Sequence, residues 1–81
     1  MMDPQHIKQL IENGLPDCRA QVEGDGRHFQ AVIVSSAFEA KSPLARHRLV
    51  YSVLEEHIHS DQLHALSMRT LTPQQWEQGQ T

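Results

Sequence analysis

Apolar residues recur in the first stretch of the chain at Ile7, Leu10 and Ile11, the i, i+3, i+4 spacing that lines one face of a helix. Asp3-Pro4 ahead of them supplies an N-cap residue and a proline at the first helical position, where its missing N–H costs nothing. Gly14 and Leu15-Pro16 close the segment, because glycine suits a left-handed position after a helix and proline cannot continue one. The spacing predicts a helix over 4–13. The period then changes to two. Cys18, Ala20 and Val22 alternate with Arg19, Gln21 and Glu23, and Phe29, Ala31 and Ile33 alternate with Gln30, Val32 and Val34. Gly24-Asp25-Gly26 offers the positive-φ residues of a tight turn, so the pattern predicts a hairpin with strands near 18–23 and 28–34.

The connector SSAFEAKS, residues 35–42, holds one large apolar residue, Phe38, which is its expected anchor to the core. Ser42-Pro43 then opens the longest predicted helix, over 43–58. Its buried stripe is Val50, Val53, Leu54 and Ile58, with Arg46, Glu55 and Glu56 on the wet side. Ser60-Asp61-Gln62 breaks it. Leu66 and Met68 return to period two and predict a third strand near 64–70. Thr72-Pro73 with Gln75 forms a capping box that starts a short helix docked by Trp76, and the tail EQGQT is expected to fray. The residues alone therefore read αββαβα, a two-layer α+β arrangement with a three-stranded sheet covered by helices on one face. The link between the second and third strands is long enough for a right-handed parallel crossover. One domain over 1–81 is expected, ordered from about residue 4 to 77, without internal repeats.

Composition narrows the functional classes. A chain of 81 residues buries only about 60% of its unfolded surface, so its stability is modest and a deep substrate pocket is disfavoured. The chain reads as a binding module and not as an enzyme. One cysteine, Cys18, permits no internal disulfide. No signal-peptide pattern and no apolar run of roughly 20 residues is present, which gives a cytoplasmic, non-membrane expectation. The formal charge is −3, but Lys41, Arg46 and Arg48 fall between residues 41 and 52 with no acid among them. That basic segment keeps nucleic acid in view as a partner.

Six histidines carry most of the candidate chemistry. His6 falls on the wet side of the first helix. His57 and His59 resemble a metal pair, but i and i+2 on a helix point about 200° apart, and helix-end histidines have a simpler role against the C-terminal dipole. His47, in ARHRLVY, fits either a half-buried helix residue or a basic surface with Arg46 and Arg48. His28 and His64 differ, because each stands at the N-terminal edge of a predicted strand. If those two strands are parallel neighbours, both imidazoles lie at the same end of the sheet. Two ligands cannot close a tetrahedral structural site, so either no metal binds or a partner completes the sphere. No phosphate-binding glycine loop and no Ser/His/Asp or Cys/His constellation accompanies them.

The stretches FEAKSPLARHRLVYSVLEEHI and LHALSMRTLTPQQW, with GDGRHFQ in the hairpin, resemble the BolA family and its short bacterial IbaG-like branch. The match runs from about residue 5 to residue 76. The resemblance implies a class II KH-like αββααβα fold and a role in iron–sulfur trafficking or in iron, redox and acid-stress sensing. It implies a heterodimer with a monothiol CGFS-type glutaredoxin, sharing a [2Fe–2S] cluster that glutathione also ligates. His64 and His28 are the implied ligands from this chain, which alone is expected to hold no cofactor and to be a monomer or weak homodimer. Imidazole in place of thiolate raises a cluster's potential and makes its ligation sensitive to protons. Ala40 stands where the family usually carries glycine; if that position has positive φ, alanine strains the connector. The family is also associated with transcription regulation. The alternative reading is weak, salt-sensitive DNA binding through Lys41, Arg46, His47, Arg48 and Arg69, without the G-x-x-G loop of a true KH domain.

Overall fold

The computed structural model describes residues 3–79. Its elements are α1 (Pro4–Gly14), β1 (Arg19–Gly24), β2 (Phe29–Val34), α2 (Pro43–Leu54), α3 (Ser60–His64), β3 (Leu66–Leu71) and α4 (Pro73–Gly79), with one turn of 3-10 helix at Ser36–Phe38. The order is αββααβα. A sheet ordered β1-β2-β3 pairs β1 antiparallel to β2 and β2 parallel to β3. Pleating sends Ala20, Val22, Phe29, Ala31, Ile33 and Leu66 to one face, where they meet Ile7 and Ile11 of α1 and Val50 and Leu54 of α2. Val34 is buried apart from that core, beside Pro73 and Trp76 of α4. Trp76 also borders a small groove with Gln21, Val32 and Val34.

The local signals work largely as read. The Asp3 carboxylate accepts from Gln5 N at 3.0 Å, Ser42 Oγ accepts from Ala45 N at 3.2 Å, and Thr72 and Gln75 form a reciprocal box at 2.9 and 3.1 Å. Phe38 is fully buried and anchors the connector. Ser35, also fully buried, donates to Pro16 O at 2.6 Å and accepts from Ala37 N at 3.1 Å. Among helices the predicted tail lies partly within α4, which extends to Gly79; Gln80 and Thr81 lie outside the described residues.

Four expectations are corrected. The helix from Pro43 ends at Leu54 instead of 58, and Ile58 reaches the core from the following turn. Ser60-Asp61-Gln62 does not merely break a helix but begins α3, which has Asp61 in its first turn, favourable for the helix dipole, and ends on His64. The third strand accordingly starts at Leu66, not at 64. Gly14 is helical and adopts no left-handed conformation; an added Cβ there would collide with the Val53 side chain, so its role is close approach of α1 to α2.

Candidate functional site

The parallel β2–β3 register places Phe29 beside Leu66, and Phe29 N donates to Ala65 O at 2.9 Å. His28 immediately precedes Phe29, and His64 immediately precedes Ala65. Both histidines therefore stand at one rim of the sheet, and both are exposed. His64 reaches that rim as the last residue of α3, not as a strand residue. Ala65 caps α3, its N–H donating to Gln62 O and Leu63 O, which turns the chain sharply from helix into β3.

His28 follows a tight loop. Gly26 has φ 95°, the left-handed region that glycine alone adopts without strain. Gly24 contributes differently from the expectation: it has no positive φ, and its lack of a Cβ lets the backbone lie against the Phe29 ring and His28 O. Asp25 Oδ1 accepts from Arg27 N at 2.8 Å and His28 N at 2.9 Å. Those backbone donors, His28 N–H above all, hold the Asp25 carboxyl below the usual carboxylate range. Sequence reasoning treats Gly24-Asp25-Gly26 only as a turn. An aspartate followed by glycine is the readable signal for an Asx-type bond to the backbone amides that follow.

The other histidines form no comparable site. His6 is exposed on α1. His57 and His59 lie in the turn between α2 and α3 and not on a helix, so the argument from helical spacing does not apply to them; both are exposed. Among the described residues no group of three or more His, Cys, Asp or Glu side chains could hold a metal ion. Cys18 packs partly against the core, and burial, with Glu12 adding to it, pushes its thiol up to about 11. At neutral pH it is a protonated thiol, a poor nucleophile and a poor ligand.

The basic residues are dispersed. Arg46 is not on the wet side. Its Nε donates to Phe38 O at 3.1 Å and Lys41 O at 3.0 Å, and its Nη1 to Thr70 O at 3.1 Å and Gln75 Oε1 at 3.0 Å. The guanidinium also lies 5.9 Å from the centre of the Phe38 ring. It ties the connector, the end of β3 and the start of α4 together. Lys41 and Arg48 are exposed and His47 half-buried, on and before α2. Arg69 pairs with Val32 on the sheet face opposite the core, because Met68 beside it packs inward. Arg69 thus lies on the side of the sheet away from α2, which carries Arg46, His47 and Arg48.

The fold is a small α+β domain whose three-stranded sheet joins a β1–β2 hairpin to a parallel β2–β3 pair, with the rim at the leading end of that pair. The BolA-like protein family profile matches residues 3–75, and the chain belongs to that family. It is 33% identical over 75 residues to the acid stress protein IbaG of Escherichia coli K12, covering 93% of this chain and 89% of that one. Bovine BolA-like protein 1 is 46% identical over 77 residues, which are 95% of this chain and 54% of that longer protein. A bolA protein homologue from Coxiella burnetii superposes with a TM-score of 0.83 at 49% identity, over 95% of this chain and 99% of that one. No helix among the described residues is long and apolar enough to cross a membrane.

Proposed function

We propose that this protein is the histidine-donating half of a shared [2Fe–2S] site that a monothiol CGFS-type glutaredoxin, with its glutathione, completes. The observation that carries the reading is that His28, just before β2, and His64, at the end of α3 two residues before β3, stand at the same exposed rim. The donor set fits. Two imidazoles, with no third donor grouped with them among the described residues, are insufficient for a closed zinc site and suit one iron of a cluster whose remaining ligands arrive on thiolates. Exposure of both rings leaves them open to a second protein. A bound cluster supplies one-electron redox chemistry and ligation that acid can loosen. This chain's residues bind and orient: β2 and β3 set the spacing of the two chain segments, and the Asp25 loop and α3 present the rings. The name of the Escherichia coli relative, an acid stress protein, accords with imidazole ligation, because protonation competes with the metal for the ring nitrogen.

The reading is tested by adding the protein to a cluster-loaded monothiol glutaredoxin with glutathione and following visible absorption and circular dichroism. The spectra change with a 1:1 endpoint, His64→Ala abolishes the change, and His28→Ala weakens it. A complex that forms without any spectral change, or a change indifferent to both substitutions, makes the protein an adaptor that leaves the cluster alone.

A further inference from the structure

We propose that Asp25 is the positioning residue of the His28 ligand, holding the main chain on both sides of that imidazole so that the ring is ready for a cluster before a partner arrives. The inference rests on the shared-cluster reading and adds to it a residue that touches no iron.

Three bonds converge on the segment. Asp25 Oδ1 accepts from Arg27 N at 2.8 Å and from His28 N at 2.9 Å, and Asp25 N donates to His28 O at 3.2 Å. Both the N–H and the C=O of His28 are therefore bound to one residue three positions earlier. The glycines make that closure possible. Gly26 turns the chain at φ 95°, and a Cβ on Gly24 would sit 2.6 Å from His28 O and collide with the Phe29 ring. On the other side of His28, Phe29 is 1% exposed and its N–H is bound to Ala65 O. The His28 backbone is thus pinned between the Asp25 loop and a buried anchor, and that anchor is bonded to the residue following His64. Backbone N–H bonds to a carboxylate oxygen are charge-assisted, and bonds of this kind are the stronger ones.

Without Asp25, a segment with two glycines regains many conformations, and the partner must order it on binding. Residues that orient a metal ligand without touching the metal alter affinity by about 10- to 100-fold when removed.

The experiment titrates [2Fe–2S]-loaded, glutathione-ligated monothiol glutaredoxin with wild-type protein, Asp25→Ala, Asp25→Asn, His28→Ala and the Asp25→Ala/His28→Ala double variant, reading visible circular dichroism. Amide hydrogen exchange at Arg27 and His28 is measured in each free protein. Asp25→Ala speeds exchange at both amides and weakens the cluster-dependent response about tenfold, while Asp25→Asn, whose Oδ1 accepts the same bonds, stays closer to wild type. On the His28→Ala background, Asp25→Ala has no further effect. A normal response to His28→Ala with Asp25→Ala equal to wild type overturns the positioning role alone. An Asp25→Ala loss of the same size with and without His28 also overturns it. A spectrum indifferent to His28→Ala overturns the ligand reading itself and the inference with it.

Discussion

Replacing Arg46 by alanine is the most informative single perturbation of the fold, because this arginine serves three elements at once. Its guanidinium reaches the carbonyls of Phe38, Lys41 and Thr70 and the Gln75 side chain, all at 3.0–3.1 Å. A hydrogen bond from a charged donor is worth about 1.5–3 kcal/mol when lost. The four do not add, since they share two nitrogens and part of the site is open to water that can replace the donor. Allowing for that, and for about 0.5 kcal/mol from the Phe38 ring, the loss is about 2–3 kcal/mol. A domain of this length has on the order of 4–12 kcal/mol in total, so the variant folds but its Tm falls by roughly 8–24 °C. Urea unfolding followed by far-UV circular dichroism is the assay, with Arg48→Ala as the exposed control that stays within about 0.5 kcal/mol of wild type. Arg46→Lys recovers little, because one ammonium cannot span three elements as a planar fork does. Equal midpoints for Arg46→Ala and Arg48→Ala refute the reasoning and return Arg46 to the pool of free surface cations.

Three further outcomes follow from the same geometry. Ala40→Gly stabilises the protein by about 0.5–1 kcal/mol in the same assay, because Ala40 is exposed at φ 61° and relief of about 1–2 kcal/mol of left-handed strain exceeds the roughly 0.4–1 kcal/mol of added unfolded-state freedom; an unchanged or lower midpoint contradicts it. Gly14→Ala costs about 1–3 kcal/mol by overpacking against Val53 despite alanine's better helix propensity, and adding Val53→Ala relieves part of the clash, so strictly additive effects tell against the close approach. Glu12, paired with Lys8 at 2.8 Å and accepting from Ala20 N at 3.0 Å, has its carboxyl held below its ordinary value of 4.5. A folded-state pKa below the unfolded one gives stability that is complete well above 4.5 and disappears as pH falls through the folded value. The Tm difference between wild type and Glu12→Gln is therefore greatest near neutrality and closes on acidification below 4.5, whereas a constant difference contradicts the pairing.

What the residues revealed in advance was what neighbouring residues encode together. Asp3-Pro4, Ser42-Pro43 and Thr72-Pro73-x-Gln75 each carry their cap within a few positions, and all three begin helices. The hairpin and its alternation are similarly local. The end of α2 was not legible, because Glu55-Glu56-His57 contains no breaker and Ile58 reaches the core either as helix or as turn. The five residues of α3 are too few to stand out, since helices this short owe their stability to tertiary support. Gly14 reads as a left-handed position closing the helix because the residue that needs its small size, Val53, lies on another helix. Arg46 reads as a surface cation in a helical pattern, and only the fold brings Phe38, Thr70 and Gln75 around it. Of the candidate site, the two histidines were visible, but His64 reads as the opening of a strand where the fold makes it the end of α3, and the parallel neighbour relation that makes them one rim depends on a strand order the residues do not give. Ala40 shows the opposite case: its departure from the family glycine marked a positive-φ position that the structure has.

The central claim is most directly tested by pulsed electron–nuclear spectroscopy of the dithionite-reduced complex between cluster-loaded glutaredoxin and this protein carrying 15N-labelled histidine. Two strongly coupled imidazole nitrogens, one lost in His28→Ala and the other in His64→Ala, are the predicted result. A reduced cluster without strong coupling to any labelled nitrogen, in a complex shown to be intact, contradicts the account.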